Sequence, residues 1–271
     1  AMGKPDISSG LAHNTLKGRN QNMKVAGCIF EDFHIKKRDL SMTKPYGRQI
    51  KKKVGEILLE PHRETAMELL KQIPDEQLVG HLFSHFYHKD ERVKFRSITA
   101  MGVLGSRMEY RDIEKARILL RRIMWNLNDE SGGIGWGSPE AMGEILCQSP
   151  ELALEFKSIL FSYLDPEGNH IEHEMLQRGV LWGIGTYLES FPNDLNEKTK
   201  GLLYGYLHSA DPAKRGYAIR ALINAQSFDC SLVPENIITD TQQVHIFTGW
   251  DFVTTRISDI ALSCEGNKIF A

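Results

Sequence analysis

The sequence has no long apolar run and no clustered cysteines. Its four cysteines, Cys28, Cys147, Cys230 and Cys264, stand far apart and form no CxxC pair. That spacing argues against a zinc ribbon and against the disulfide framework of a small secreted protein. No apolar stretch approaches the ~20 residues that a membrane span requires, and the polar N-terminus does not resemble a signal peptide. We therefore expect a cytoplasmic protein with no membrane partner.

The sequence also lacks a large excess of either charge, since 33 Lys and Arg residues face 35 Asp and Glu residues, giving a net charge of −2. This balance gives no global electrostatic reason to expect DNA or RNA as a partner. Hydrophobic residues make up 41% of the chain and charged residues 25%, which is ordinary for a globular domain. A chain of 271 residues buries a core large enough to fold without disulfides or metal ions. No cofactor and no metal are predicted.

Helical periodicity divides the chain into three parts. Residues 1–45 are polar, rich in Gly, Asn, Lys and Ser, and lack a sustained period, so we expect them to form a mobile arm. The first three residues, Ala1-Met2-Gly3, resemble a tag remnant. Residues 46–240 predict helical repeats, because apolar residues recur at helical spacing between short turn signals. Residues 241–271 form the third part. The predicted helices are 47–59, 61–73, 75–88, 90–105, 111–127, 138–148, 150–164, 170–190, 196–208 and 212–226, with Gly105 as one of the breaks between them.

The third part predicts a β-hairpin. The stretches 244–247 and 252–255 are rich in β-branched and aromatic residues, and they flank a four-residue loop over 248–251. A short helix near 257–263 is expected to follow. Because stacked repeats leave an apolar face exposed at each end, we expect the hairpin and this helix to cap that end.

The strongest signal is self-similarity with a period near 40 residues. In four helices, small residues recur three apart and an aliphatic residue follows. Small side chains at this spacing let one helix approach its neighbours closely, and a helix pair that cannot cover its own apolar face must stack on the next pair. The pattern therefore predicts an all-α fold, an α-α superhelix with a short C-terminal β-hairpin. The four segments are 93–102, 138–146, 176–185 and 214–222.

These segments resemble the HEAT repeat of the HEAT/armadillo family over roughly residues 46–226. Asp90 with Lys94, and Asp211 with Arg215, match the aspartate and basic residue of that repeat's second helix. The resemblance implies a superhelix whose concave face is its working surface. It does not select one function, because HEAT proteins serve as scaffolds, adaptors, lyases and DNA-repair enzymes. The stretches 132–141 and 178–185 are also similar to small uncharacterised bacterial HEAT-like proteins, a likeness that implies no activity.

The third repeat breaks the pattern in its turn, residues 129–137, where four glycines occur within six residues. Glycines at such a density suit a tight turn with positive φ. They also let backbone N–H groups approach an anion at a helix N-terminus. No Lys-Ser/Thr pair follows the glycines, so the turn is not a P-loop. Both interpretations stay open.

The helix after this turn carries two carboxylates one helical turn apart, Glu140 and Glu144. Glu144 takes a position that small residues hold in the other repeats, so its carboxylate needs a partner. Arg178 is the natural candidate, and Trp182 shares its helix face. With Trp136 these residues form a hypothetical ligand-binding pocket, in which paired carboxylates could also support acid–base chemistry. The alternative is a structural ion pair with both tryptophans in the core.

Two weaker patterns point to metal or nucleic acid. His81, His85 and His88 lie on one helical stripe with a spacing that could hold zinc or nickel, but no acidic residue or cysteine shares the stripe. A set of basic residues could follow a phosphate backbone, but acidic residues interleave with it, which also fits a solvated helix surface. The set comprises Arg92, Lys94, Arg96, Arg107, Arg111, Lys115, Arg117, Arg121, Arg122, Arg215 and Arg220.

Three functions remain, in this order of preference. The first is a non-enzymatic scaffold that binds a protein or peptide on its concave face. The second is a small-ligand-binding or catalytic site formed by Trp136, Glu140, Glu144, Arg178 and Trp182. The third is a nucleic-acid-binding solenoid similar to the helical-repeat enzymes of DNA-alkylation repair, which the charge balance does not favour.

Overall fold

The computed structural model describes residues 47–128 and 135–263 of the chain. The predicted N-terminal arm lies outside the described residues, as do most of the glycine-rich turn, Cys28 and Cys264. Within the described residues the chain is helical except for one two-stranded sheet near its C-terminal end. This confirms the all-α fold with a C-terminal β-hairpin.

The helices follow the predicted periods closely. Asp90 and Asp211 begin two of them, and their side chains accept hydrogen bonds from the backbone N–H groups of Arg92 and Ala213. The helices are α1 (Gly47–Leu58), α2 (Arg63–Lys71), α3 (Asp75–His85), α4 (Glu91–Arg111), α5 (Ile113–Leu127), α6 (Ser138–Gln148), α7 (Pro150–Ser162), α8 (Glu174–Ser190), α9 (Glu197–Tyr206), α10 (Pro212–Asn224), α11 (Glu235–Ile238) and α12 (Ile257–Leu262).

One predicted break is wrong. Gly105 does not end the helix that begins after Asp90, because α4 continues to Arg111. A Cβ atom at Gly105 would lie 2.8 Å from Cγ1 of Ile145 on α6. The glycine therefore serves close helix packing rather than a turn.

Helices α4, α6, α8 and α10 pack side by side in chain order, and we call them the central row. The approach is closest between α6 and α8, where a Cβ atom at Gly143 would lie 2.6 Å from the carbonyl carbon of Gly183. Small residues on the facing sides of these helices permit this distance, as the repeated small-residue pattern predicts. The N-terminal ends of the central row consequently lie near one another.

The hairpin consists of β1 (Gln243–Thr248) and β2 (Asp251–Arg256), paired antiparallel with Phe247 opposite Phe252. The predicted strands are confirmed, but the loop between them is two residues long rather than four. Gly249 in this loop has a φ of +67°, a conformation that glycine adopts without steric cost.

The hairpin packs on both the last and the first helix of the central row, and the end cap expected from the sequence stays a prediction. Val244 packs on Gly216 and the Tyr217 hydroxyl donates to the carbonyl oxygen of His245 at 2.9 Å, so β1 lies on α10. Phe252 contacts Phe95 of α4 with ring centroids 5.1 Å apart. The hairpin thus spans from the last helix of the central row to the first. Helix α12 follows β2 and packs against α10 and α11.

None of the helices among the described residues is both long enough and apolar enough to span a lipid bilayer.

Candidate functional site

A cavity of about 220 Å³ lies where the N-terminal ends of the central row meet the hairpin. We call it the hairpin pocket. Each central helix contributes residues from its first two turns, and β1 and β2 close one side. Its charged lining residues are Glu91, Lys94, Glu140, Arg178 and Asp211, and its aromatic ones are Phe95, Trp136, Trp182, Tyr217 and Phe252.

Four of the five residues that the sequence singled out line this pocket: Trp136, Glu140, Arg178 and Trp182. Glu144 is not among the described lining residues. It lies four residues after Glu140 on α6, a rise of ~6 Å along the helix axis. The structure therefore does not bring the two carboxylates together in one cavity.

Glu144 is instead held by neutral hydrogen-bond donors. Its Oε1 accepts from the Thr99 hydroxyl at 2.8 Å and its Oε2 from Nε2 of Gln148 at 3.1 Å. Burial raises the pKa of Glu144, and the Thr99 hydrogen bond acts in the opposite direction. The expected pairing with Arg178 is wrong, and the carboxyl group is a packed link between α4 and α6.

Arg178 pairs with a different carboxylate, that of Asp211, with its Nε 2.5 Å from Oδ2. Asp211 caps α10 with the same carboxyl group, through its Oδ1. The Arg178 side chain is 37% exposed, so the pair forms an accessible rim of the pocket. The sequence predicted the arginine correctly as a pocket residue but not its partner, since the cap of α10 faces α8 only in the folded chain.

Glu140 is the buried acid of the hairpin pocket, with its side chain 8% exposed. The nearest cation is Lys94, whose Nζ lies 3.8 Å from Oε1, beyond hydrogen-bonding distance. Oε2 packs against Gly179, where a Cβ atom would lie 2.6 Å away, and it has no hydrogen-bond partner among the described residues. Burial raises the pKa of Glu140, while Lys94 and the residue's own backbone N–H act to lower it. The carboxyl group is therefore buried without full hydrogen bonding.

Trp182 forms the floor between the helices and is 2% exposed. Phe95 meets its ring edge-on with centroids 5.2 Å apart, and the guanidinium carbon of Arg220 lies 5.3 Å from the ring centroid. Within the part of the chain that the structure describes, its indole Nε1 is buried and donates to no acceptor. Together with Glu140, this gives the pocket region two polar groups that the chain itself leaves unsatisfied.

Aromatic rings make up much of the remaining wall. Trp136 is half-buried and meets the ring of His173 edge-on at 5.4 Å. Phe95 also stacks on Phe247 at 5.3 Å. Sequence reasoning missed Phe95 and Phe252 as pocket residues, because only the fold lays the hairpin against α4.

His81 and His85 lie on α3, which ends at His85, and His88 follows the helix. The three side chains make local contacts. Nδ1 of His85 is 2.8 Å from the carbonyl oxygen of His81, and the rings of His85 and His88 stack at 6.1 Å. In residues 47–128 and 135–263, no group of three or more His, Cys, Asp or Glu side chains is arranged to hold a metal ion.

The basic residues of α4 and α5 mostly face acidic partners. Arg111 and Lys115 pair with Asp75 and Glu76 of α3 at 3.3 and 2.9 Å. Arg117 pairs with Glu155 of α7. Such pairs give this surface mixed charge rather than a positive track for phosphates.

No family model matches the chain. The sequence is 30% identical over 186 residues to an uncharacterized protein of Archaeoglobus fulgidus, a match that covers 66% of this chain and 91% of that protein. Among solved structures, an engineered protein aligns with a TM-score of 0.38 and 16% identity over 68% of this chain and 82% of its own. On the strength of the archaeal relative, the chain belongs to the same protein family as that Archaeoglobus protein.

Proposed function

We propose that this protein binds a small ligand in the hairpin pocket. The observation that supports it is Glu140, a buried carboxyl group in the pocket wall with one oxygen that no described residue satisfies. Leaving such a group unpaired costs about 1–3 kcal/mol. A ligand that donates a hydrogen bond to it would recover that free energy on binding.

The composition of the wall supports the same proposal. Small-molecule sites are mostly apolar, with a few polar groups that orient the ligand. Here Phe95, Trp136 and Tyr217 supply apolar surface, and Glu140 and Arg178 supply polar groups. A volume of about 220 Å³ is small among ligand pockets, which favours a compact ligand.

Binding rather than catalysis is proposed because the acid–base pair is not assembled. Glu144 is held by Thr99 and Gln148 away from the pocket, so the Glu140–Glu144 pair that acid–base chemistry would use is not assembled there. The other two carboxylates that line the pocket are the exposed Glu91 and Asp211, which is paired with Arg178. The small-ligand hypothesis thus ranks above the protein or peptide partner that the sequence favoured. The proposal retains the interpretation of the central row as HEAT-like, with the pocket at the N-terminal ends of its helices.

The test is a thermal-shift screen of a chemically diverse metabolite library against three forms of the protein. Ala213→Phe places a large side chain into the pocket from its half-buried position on α10. Ala210→Phe, three residues earlier and exposed, is the matched control. A pocket ligand should raise the Tm of the wild type and of the control but not that of Ala213→Phe, because ligand binding stabilises only a folded state that can bind.

Circular dichroism confirms that Ala213→Phe is folded before the comparison is made. Stabilising compounds that act equally on Ala213→Phe would place their site elsewhere and contradict the proposal. A library in which no compound stabilises the wild type would contradict it as well.

A further inference from the structure

Acidic side chains outnumber basic ones among the charged residues that line the hairpin pocket. With His245 counted as neutral, three acids, Glu91, Glu140 and Asp211, face one lysine and one arginine, Lys94 and Arg178, which leaves an excess of one negative charge. Arg178 and Asp211 neutralise each other at 2.5 Å. The long separation of 3.8 Å between Lys94 and Glu140 leaves that acid less well compensated. The uncompensated charge therefore lies at Glu140 and at the exposed Glu91.

The rings around Glu140 add to the attraction for a cation. Aromatic faces carry a negative quadrupole and attract cations within about 6 Å of the ring centroid. Two of the chain's own cations already use these faces, since Nζ of Lys94 lies 5.4 Å from the centroid of Phe95 and the guanidinium of Arg220 lies over Trp182. The half-buried ring of Trp136 lines the pocket beside them. A compact cation inside the cavity would thus meet both a carboxylate and an aromatic ring.

An anion is the opposing candidate, because helix N-termini carry partial positive charge. The chain's own acids already take those positions at three of the four central helices. Asp90 and Asp211 cap α4 and α10, and the Glu140 carboxyl group lies against its own backbone N–H in the first turn of α6. A carboxylate or phosphate ligand would add like charge beside a buried acid, which is unfavourable.

We infer that the ligand of the hairpin pocket carries a compact organic ammonium group, held between the Glu140 carboxylate and the half-buried ring of Trp136. An N–H of the ammonium donates to Glu140, and its alkyl substituents contact the ring. This inference rests on the proposed function and names the chemical class of its ligand.

Three probes that share a tert-butyl group test the effect of charge: tert-butylammonium, tert-butanol and trimethylacetate. They carry one positive charge, none and one negative charge. Each is titrated into the full chain at neutral pH while the indole N–H signals of Trp136 and Trp182 are followed by NMR. We expect tert-butylammonium to bind about tenfold more tightly than tert-butanol, and trimethylacetate to bind most weakly.

Two glutamate variants give a matched comparison on one helix. Glu140→Gln should lower the affinity for tert-butylammonium to that for tert-butanol. Glu144→Gln changes an equally buried carboxyl group that is not among the described lining residues, and it should leave the preference intact. Trp136→Leu, at a half-buried position, provides a second variant that keeps the fold. It should weaken the ammonium probe more than the alcohol, because the loss of apolar area affects both probes while the loss of the ring face affects the cation in addition.

The outcomes separate this inference from the proposed function. Tighter binding of trimethylacetate, equal binding of all three probes, or an unchanged preference in Glu140→Gln would overturn the inference. If the library screen still gave a ligand that Ala213→Phe excludes, the proposed function would stand with a ligand of another class. Loss of both signals, in the probes and in the library, would overturn the two together.

Discussion

The indole Nε1 of Trp250 donates to the carbonyl oxygen of Glu60 at 2.7 Å, although the two residues lie 190 positions apart in the chain. Arg96 joins the same two segments, since its Nε donates to the carbonyl oxygen of Trp250 at 2.8 Å and its Nη1 to those of Leu58 and Glu60, each at 3.0 Å. One buried guanidinium thus connects the hairpin tip to the turn after α1. The hairpin wall of the pocket depends on this connection.

Arg96→Lys is expected to destabilise the protein by about 2–3 kcal/mol in urea unfolding. A lysine ammonium cannot reproduce the fork that reaches three carbonyl oxygens, and the carbonyl groups would be left buried without a donor. The control is Arg92→Lys on the same helix, whose ion pair with Asp251 at 3.4 Å is more than half exposed. That variant should lose about 0.5 kcal/mol or less. Equal losses in the two variants would show that Arg96 does not anchor the hairpin.

Gly143→Ala tests the close approach of α6 and α8. The added methyl group would lie 2.6 Å from the carbonyl carbon of Gly183, so the helices must separate, at a cost of about 1–3 kcal/mol. Gly205→Ala in α9 is the control, because no atom of the described chain comes within 4 Å of its Cβ position. It should stabilise the protein by about 0.5–1 kcal/mol through helix propensity. Chemical unfolding measures the change in the free energy of unfolding for both variants, and we expect the two changes to have opposite signs.

Glu140→Gln should stabilise the unliganded protein at neutral pH but not in acid. Burial raises the folded-state pKa of Glu140 above its ordinary value of 4.5. Between the ordinary and the raised pKa the folded state holds a proton that the unfolded state has lost, so wild-type stability falls as pH rises through that window. Below it the acid is protonated in both states, and the variant should then match the wild type.

Stability curves of wild type and Glu140→Gln, measured by urea unfolding from pH 3 to pH 8, check this expectation, with ~1 kcal/mol resolution sufficient to see a shift of one pKa unit. The other ionisable groups that face the pocket are the same in both proteins, so their contributions largely cancel in the difference. They are Glu91 and Lys94 of α4, Arg178 of α8, Asp211 and Tyr217 at the start of α10, and His245 of β1. A constant difference across the range would contradict a raised pKa at Glu140.

Thr99→Val removes the hydroxyl that donates to Glu144. Both side chains are buried, and the hydrogen bond is 2.8 Å long, so its loss should cost about 1–3 kcal/mol. The pKa of Glu144, followed by carboxyl-carbon NMR, should rise further, because the hydroxyl stabilises the ionised form. Thr254→Val, on the exposed face of β2 beside His245, is the control and should change stability little. An unchanged pKa of Glu144 in Thr99→Val would contradict the assigned role.

Local sequence patterns were sufficient to predict the helices and part of the candidate site. Proline and aspartate start signals placed α10 at Pro212, and helical spacing placed Arg178 and Trp182 on one face of α8. The sequence could not distinguish a glycine that ends a helix from one that permits close packing, which is why Gly105 was misassigned. Both uses need only the absence of a side chain, and the neighbour that decides between them is Ile145, on another helix.

Short-range preferences in the sequence thus determined which segments form helices and strands, since helical and strand periods depend on residues a few positions apart. Tertiary structure alone decided where the hairpin lies and which charges meet. Glu140 and Glu144 occur one turn apart on α6, yet one lines the pocket and the other bonds Thr99. The difference depends on contacts with α4, α8 and a hairpin about 100 residues further along the chain. Such contacts form only when folding brings distant segments together at the cost of loop-closure entropy. No local pattern encodes them for that reason.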